Sequence, residues 1–268
     1  MTAADAALVF DAIAVPDDRD ATCTGGRGSS AAASLGQEDL RGRRIGVLTA
    51  CLDGLQPEVE RALEQAAAVF RGMGAETVEL PLPELSSALS AYYILASAEA
   101  SSNLARYDGI RYGHAAGGDI RRARSEGFGR EVRRRILLGT YVLSTGYAEA
   151  YYKRAKALQS ALVRRFDALF SSCDLLLTPT TATTAYPCGA AMSPVAVYRT
   201  DLCTAPVNLA GLPALSVPCG FDSRGLPIGM QLIGPAYSEA RLLSAAHRFE
   251  QETDGAFLCA RAMREVTL

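Results

Sequence analysis

The amino-acid sequence predicts an α/β protein in which helices surround a mixed β-sheet. A strand, a helix and a second strand follow one another between Arg44 and Leu80, which is the order of a parallel βαβ unit. Two short apolar runs, Ala214–Cys219 and Ile228–Ile233, flank a turn of four residues, Asp222 to Gly225, and predict paired strands buried on both faces. Parallel and antiparallel pairs in one chain indicate a mixed sheet.

The N-terminal residues predict one helix and a linker. Ala3–Ala14 has apolar side chains at helical spacing, and Pro16 ends that pattern. Cys23–Gly36 is rich in small residues, which is typical of a mobile linker. We therefore divide the chain into an N-terminal helix with its linker, residues 1–40, and one main region, residues 41–268.

The helices and strands of the main region are predicted from apolar periodicity and from the prolines and glycines that end each element. In order, it predicts a strand at Arg44–Thr49, a helix at Pro57–Arg71, a strand at Thr77–Leu80, a helical stretch at Leu85–Tyr107, a surface loop at Ala115–Ile120, a long helix at Tyr147–Phe170, a buried parallel strand at Asp174–Thr178 and a final helix capped by Ser238 and ending at Glu252. The long helix should turn inward Tyr151, Ala155, Leu158, Leu162, Phe166 and Leu169, and the final helix Leu242, Leu243, Ala246 and Phe249.

Composition excludes several classes of protein. The 268 residues are 49% hydrophobic and 21% charged, as in ordinary globular proteins. A net charge of -2 gives no broad basic field, so any nucleic-acid contact would be local or made by a partner. Seven cysteines without a C-x-x-C pair, and two histidines, indicate neither a zinc site nor a disulfide framework. Since no apolar run reaches about 18 residues, we expect no membrane span and a reducing compartment, the cytoplasm or an organelle matrix or stroma.

Two motifs carry a resemblance to a known family. Asn208–Gly220 reads N-L-A-G-L-P-x-x-S-V-P-x-G and Gly225–Gly234 reads G-L-P-x-G-x-Q-L-I-G, a pattern that resembles the C-terminal hallmark of the amidase signature family. Glu99–Gly113 and Arg124–Tyr152 resemble one branch of it, the A subunits of glutamyl-tRNA(Gln) amidotransferases. The resemblance implies an amidase-signature-like mixed sheet surrounded by helices, present as its C-terminal part. It also implies that the chain begins in the middle of the family's pattern, because a helix like Ala3–Ala14 follows the catalytic serines there.

By this resemblance, none of the family's catalytic residues has a match in this chain. The family activates a serine through a second serine and a lysine, since a serine hydroxyl needs a base beside it to attack an amide. Lys153 and Lys156 are the two lysines, and they lie among arginines on a helix, where a solvated face is the better interpretation. The Gly25 to Ser30 segment superficially echoes the nucleophile loop, but its residues are in the wrong order. We therefore expect no catalytic residue and no metal site here.

The same resemblance implies three substrate-binding residues for glutamine. Arg135 matches the position that binds the glutamine carboxylate, and Asp201 matches the position that binds its ammonium. Tyr92 matches a tyrosine that lines the pocket, although Tyr93 is adjacent and the register could slip by one. Plain alternatives are a solvated arginine run, a helix cap and a core tyrosine. Taken together, the three residues favour a glutamine pocket.

Complete members of this branch release ammonia from glutamine and pass it to a partner protein of the same complex, which converts Glu-tRNA(Gln) to Gln-tRNA(Gln) with ATP and magnesium. The resemblance therefore implies that this chain binds no cofactor, works with other subunits, and meets tRNA only through the complex. Alone, it should be inactive. The alternatives are a non-catalytic relic that binds a subunit or an amino acid, and a hydrolase of another amide, against which the branch-specific segments argue.

Overall fold

A computed structural model describes residues 2–23, 30–82, 85–190 and 200–255. The chain divides into two compact units, and each is described by itself. The first unit comprises Met1–Leu85 and Val163–Leu268, and the second comprises Ser86–Leu162. The elements are α1 Ala3–Ile13, β1 Arg44–Leu48, α2 Pro57–Gly72, β2 Glu76–Leu80, α3 Leu85–Asn103, α4 Ile120–Gly127, α5 Arg130–Leu143, α6 Arg154–Phe170, β3 Leu175–Pro179, α7 Ala205–Ala210, β4 Ala214–Phe221, β5 Pro227–Ile233 and α8 Glu239–Glu252.

The first unit contains a five-stranded mixed sheet in the order β2-β1-β3-β5-β4. β1 pairs in parallel with β2 and β3, while β5 pairs antiparallel with β3 and β4. Both predicted pairings, the βαβ unit and the hairpin, are therefore confirmed. The predicted α/β class with a mixed sheet is confirmed as well.

Aliphatic side chains hold the centre of this sheet. Every residue of β3 is buried, as expected for a strand with neighbours on both sides. Phe70 of α2 and Phe249 of α8 lie on the same side of the sheet, with ring centroids 5.4 Å apart. Pro179 is the last residue of β3 and pairs with Met230, whereas the sequence placed the strand's end one residue earlier.

The prediction that both hairpin strands are buried on both faces is wrong for β4. β5 is central and mostly buried, but β4 is the edge strand, and its Ala214 and Ser216 are exposed. An edge strand has a neighbour on one side only, which apolar composition alone does not reveal. The predicted turn at Asp222 is confirmed: the buried Asp222 carboxylate accepts hydrogen bonds from the N–H groups of Arg224 and Leu226, both at 2.9 Å.

The N-terminal helix is confirmed, and a capping box begins it. The Thr2 hydroxyl accepts from the Asp5 N–H, and the Asp5 carboxylate accepts from the Thr2 N–H. The linker prediction does not hold for residues 30–36. Ala31 is fully buried, and the Asp11 carboxylate accepts from the Ser30 hydroxyl and from the N–H groups of Ala31 and Ala32. Residues 24–29 of the predicted linker lie outside the described residues.

Two predicted helices differ in detail. The long helix Tyr147–Phe170 consists of a π-helical turn, Ala148–Lys153, followed by α6. Its predicted inward face is buried from Ala155 on, except that Leu158 is 37% exposed, and Tyr151 in the π-helical turn is 41% exposed. The inward face of α8 is buried as predicted, but Ser238 does not cap α8 with its side chain; its hydroxyl donates to the Pro235 carbonyl instead.

The second unit is helical, and small residues fill most of its interior. Its buried side chains are Ala88, Ala91, Leu95, Ser97, Ala98, Ala123, Val142, Ala155 and Leu162. None of the helices that the structure describes is long and apolar enough to span a membrane.

Candidate functional site

Tyr92 and Arg135 lie together in the second unit. α3 carries Tyr92 and α5 carries Arg135, and the two side chains lie close enough to interact electrostatically. The ring centroid of Tyr93 is 5.9 Å from the guanidinium carbon of Arg135, within the range of a cation–π attraction. The rings of Tyr92 and Tyr93 meet edge to face at 5.1 Å. Both tyrosines therefore lie beside Arg135, and their part in binding glutamine stays a prediction.

A close approach of α3 and α5 produces this arrangement. A Cβ atom built on Gly139 of α5 would lie 2.0 Å from the Ser97 carbonyl oxygen and 2.6 Å from the Cβ of Ser101, both on α3. Only glycine leaves room for backbones at this separation. Beside that contact, the hydroxyls of Ser101 and Thr140 are 3.0 Å apart and hydrogen-bond across the two helices. The glycine contact thus positions Arg135 against the tyrosines of α3.

Glu131 sets the electrostatics of Arg135. The Arg135 Nε donates to Glu131 Oε1 at 3.0 Å, and Arg134 donates to the same carboxylate at 2.9 and 3.0 Å. The hydrogen bond to Glu131 raises the pKa of Arg135; partial burial lowers it, and Tyr92 adds to the rise. One carboxylate and two guanidiniums leave one net positive charge. The arrangement can therefore accept a single carboxylate, through the guanidinium nitrogens of Arg135 other than Nε.

Asp201 belongs to the first unit and lies in a turn directly before α7. Its carbonyl accepts hydrogen bonds from the N–H groups of Thr204 and Ala205, at 3.3 and 2.9 Å. The Cys203 carbonyl in the same turn accepts from Nε2 of the buried Gln231 at 2.9 Å. The turn, and with it Asp201, is therefore fixed to β5. Tyr92 and Arg135 come together in one unit, while the role of Asp201 in binding glutamine stays a prediction.

The two lysines that sequence analysis set aside as catalytic residues make pairs on the protein surface. Lys153 pairs with Glu149, and the ammonium of Lys156 donates to Gln159 at 2.7 Å, both on exposed helix surface. His247 is partly buried on α8, with its Nδ1 3.9 Å from Glu250. Across the part of the chain that the structure describes, no three His, Cys, Asp or Glu side chains cluster where they could hold a metal ion.

Three residues of this arrangement were missed from the sequence. Glu131 stands four residues before Arg135, the spacing at which helical side chains pair, so its ion pair was available from the sequence. Gln231 lies inside the Q-L-I-G motif but reads as one polar residue in an apolar strand. Gly139 gave no local signal, because the need for glycine arises from another helix.

Comparisons with known proteins agree with this fold. The amidase family profile matches residues 1–243. The A subunit of glutamyl-tRNA(Gln) amidotransferase from Synechococcus sp. (strain CC9902) is 49% identical over 260 residues, which cover 94% of this chain and 53% of the relative. The protein of the same name from Chloroflexus aggregans is 48% identical, with the same shares covered.

A solved structure gives the same result. The crystal structure of the A subunit of glutamyl-tRNA(Gln) amidotransferase from Thermotoga maritima superposes with a TM-score of 0.74 at 31% identity, covering 94% of this chain and 51% of that one. The chain thus spans about half the length of the relatives it matches. The family profile covers most of the chain, and we conclude that the chain belongs to the amidase family.

Proposed function

We propose that this chain carries the glutamine-binding part of the A subunit of a glutamyl-tRNA(Gln) amidotransferase. The observation that carries the proposal is the meeting of Arg135 with Tyr92 and Tyr93, on helices far apart in sequence. A guanidinium held by an aromatic pair and one shared carboxylate is ready to bind a carboxylate through its remaining nitrogens. Asp201 would bind the ammonium of the same amino acid.

In this proposal, the chemistry belongs to residues that the chain does not contain. Its two lysines make surface pairs, and no serine matches the family's catalytic serines. The longer protein would release ammonia from glutamine for the conversion of Glu-tRNA(Gln) to Gln-tRNA(Gln), in a complex whose partner protein uses ATP and magnesium and contacts the tRNA. We place this activity in the cytoplasm or in an organelle matrix or stroma.

The proposal predicts that the isolated chain releases no ammonia from glutamine. Joined behind the serine-bearing N-terminal half of the Synechococcus relative, the chain should release ammonia at a rate that saturates with glutamine. A coupled assay for ammonia measures both, and the heat-denatured protein gives the background.

Two outcomes would contradict the proposal. Ammonia release by the isolated chain, abolished by denaturation, would show that it holds its own nucleophile and base. A joined protein that folds, binds glutamine and remains inactive would favour the alternative of a non-catalytic relic.

A further inference from the structure

Positive charge is concentrated in the second unit. Ser86–Leu162 contains twelve arginines and lysines against six acidic residues, a formal net charge of +6, whereas the first unit contains fifteen against twenty-three, or -8. The overall charge of -2 therefore conceals a strongly basic helical unit. Such a unit attracts polyanions, and the placement of its charges decides which one it can bind.

One side of α5 carries part of this charge to the surface. Its exposed residues recur every three or four positions, which places them along a single face of the helix, and they are Arg130, Arg133, Leu137 and Tyr141. The buried Gly139, which contacts α3, lies on the opposite side. We call the four exposed residues the α5 face. It leads from two cations at the start of the helix to an aromatic ring near its end.

The two arginines of the α5 face keep their charges available. Glu131, the acidic residue of this helix, pairs with Arg134 and Arg135 instead. In the part of the chain that the structure describes, no residue makes an ion pair with Arg130 or Arg133. A phosphate can therefore approach both guanidiniums without first displacing a carboxylate.

Exposed aromatic rings continue the α5 face. The ring centroid of Tyr141 lies 4.4 Å from that of Tyr147 and 6.2 Å from that of Tyr151, and the last two are 6.1 Å apart. Tyr147 immediately precedes the π-helical turn, and Tyr151 lies within it. The three residues are 47%, 43% and 41% exposed. Proteins that bind single-stranded nucleic acid combine these two features, cations for the phosphates and exposed rings on which bases stack.

We propose that the α5 face and the adjoining tyrosines bind single-stranded RNA. Arg130 and Arg133 bind its phosphates, bases stack on the exposed rings, and the tyrosine hydroxyls can hydrogen-bond the 2′-hydroxyls that distinguish RNA from DNA. At 1.5 Å per helical residue, Arg130 and Tyr141 are about 16 Å apart, roughly the length of five stacked nucleotides at 3.4 Å each. The inference goes beyond the proposed function, in which the partner protein contacts the tRNA, and it does not depend on glutamine binding.

The first test measures the fluorescence anisotropy of a labelled ten-nucleotide oligoadenylate RNA mixed with the full chain. Binding should have a Kd of about 1 to 100 μM and weaken with salt. The double variant Arg130→Ala/Arg133→Ala should bind roughly ten-fold more weakly, and the slope of log K against log salt should become shallower by about 1.4, or about 0.7 for each lost phosphate contact. The control Arg19→Ala/Arg61→Ala removes the same charge from exposed positions of the first unit and should change neither value.

The second test concerns the rings. Tyr147→Leu keeps an apolar side chain but removes the aromatic face, so it should weaken binding of the oligoadenylate about five-fold or more and leave binding of inorganic polyphosphate, which has no bases, unchanged. Tyr186→Leu is the control, because Tyr186 is a 55% exposed tyrosine of the first unit, and it should affect neither ligand. A DNA oligomer of the same sequence should bind several-fold more weakly than the RNA.

Several results would overturn the proposal. Absence of RNA binding at low salt would do so, and equal losses in the two arginine double variants would reveal only diffuse attraction. Full RNA binding by Tyr147→Leu, or equal binding of the DNA oligomer, would remove the reason for choosing RNA. Polyglutamate binding as tightly as RNA would identify an acidic protein as the occupant of this surface. Circular dichroism verifies that each variant is folded.

Discussion

The sheet of the first unit and the helices of the second are held together in different ways. The sheet rests on long aliphatic side chains such as Leu176 and Leu232, which are fully buried and stand in short apolar runs of the sequence. The helical unit has mostly alanines inside, and α3 shows no clear apolar side. It depends instead on particular contacts, above all that of Gly139 with Ser97. A pattern of many residues tolerates change at one of them, whereas a contact between two backbones does not.

The largest effect should follow from adding one methyl group to the helical unit. Gly139→Ala would place a Cβ 2.0 Å from a backbone oxygen that cannot move aside. We expect the free energy of unfolding to fall by about 3 kcal/mol, the upper end for overpacking. Urea unfolding and hydrogen exchange of the α3 and α5 amides measure it.

Gly72→Ala is the matched control for this change. Gly72 also lies on a helix, but nothing lies within 4 Å of its Cβ position. The substitution should therefore stabilise the protein, by up to about 1 kcal/mol. Equal effects of the two substitutions would refute the account of the α3–α5 contact.

The next effect concerns a single polar group inside the sheet unit. Gln231→Leu removes both hydrogen bonds of Nε2 and leaves the Cys203 carbonyl and the Thr178 hydroxyl buried without this donor. We expect a loss of about 2 kcal/mol in urea unfolding. Ser216→Ala on the same face of the sheet removes an exposed hydroxyl and should change stability by less than about 0.5 kcal/mol. A loss of equal size in both variants would mean that burial does not decide the cost.

The smallest effect is a pH dependence that distinguishes the two units. Burial of Asp222 opposes its ionisation, but hydrogen bonds from Leu226, Thr184 and Arg224 outweigh it and lower the pKa from 3.8 to about 2. Because the pKa of Asp222 in the folded state lies below that in the unfolded state, this stabilisation is complete above pH 3.8 and is lost as the pH falls to about 2. Asp222→Asn should remove this part of the acid dependence of unfolding.

Glu131 of the helical unit provides the comparison. The pKa of its carboxyl is lowered as well, by hydrogen bonds from Arg134 and then Arg135, but the side chain is 55% exposed. Water and salt screen such a pair, so Glu131→Gln should alter the acid dependence less than Asp222→Asn does. The reverse order in acid unfolding curves would contradict the contrast between the two units.

The sequence predicted most of the sheet unit and less of the helical one. Strands such as β3 and β5 are apolar runs bounded by proline and glycine, so their existence could be inferred. The pairing of β5 with β4 followed from the short turn between them, whereas the partners of β3 were not predicted. The edge position of β4 could not, because strand order depends on pairings between distant segments. Arg135 and Tyr92 came from the family motif, and the structure places them side by side.

The central claim of the proposed function is that Arg135 and Asp201 bind glutamine without taking part in the chemistry. It is tested in the chain joined to the N-terminal half of its Synechococcus relative and assembled with the partner protein of the complex, by comparing glutamine with free ammonia as the nitrogen donor for Gln-tRNA(Gln). Arg135→Ala and Asp201→Ala should each lower kcat/KM for glutamine roughly ten- to a hundred-fold. This corresponds to a loss of about 1.5 to 3 kcal/mol of transition-state stabilisation, because each variant removes a charge-assisted hydrogen bond. Use of ammonia should be unchanged.

Arg134→Ala is the control, since Arg134 shares Glu131 with Arg135 but does not match the family's carboxylate-binding position. It should leave the use of both donors within about two-fold of the parent, as expected for an exposed ion pair. Normal glutamine use by both the Arg135 and Asp201 variants, or an equal loss of ammonia use, would contradict the claim.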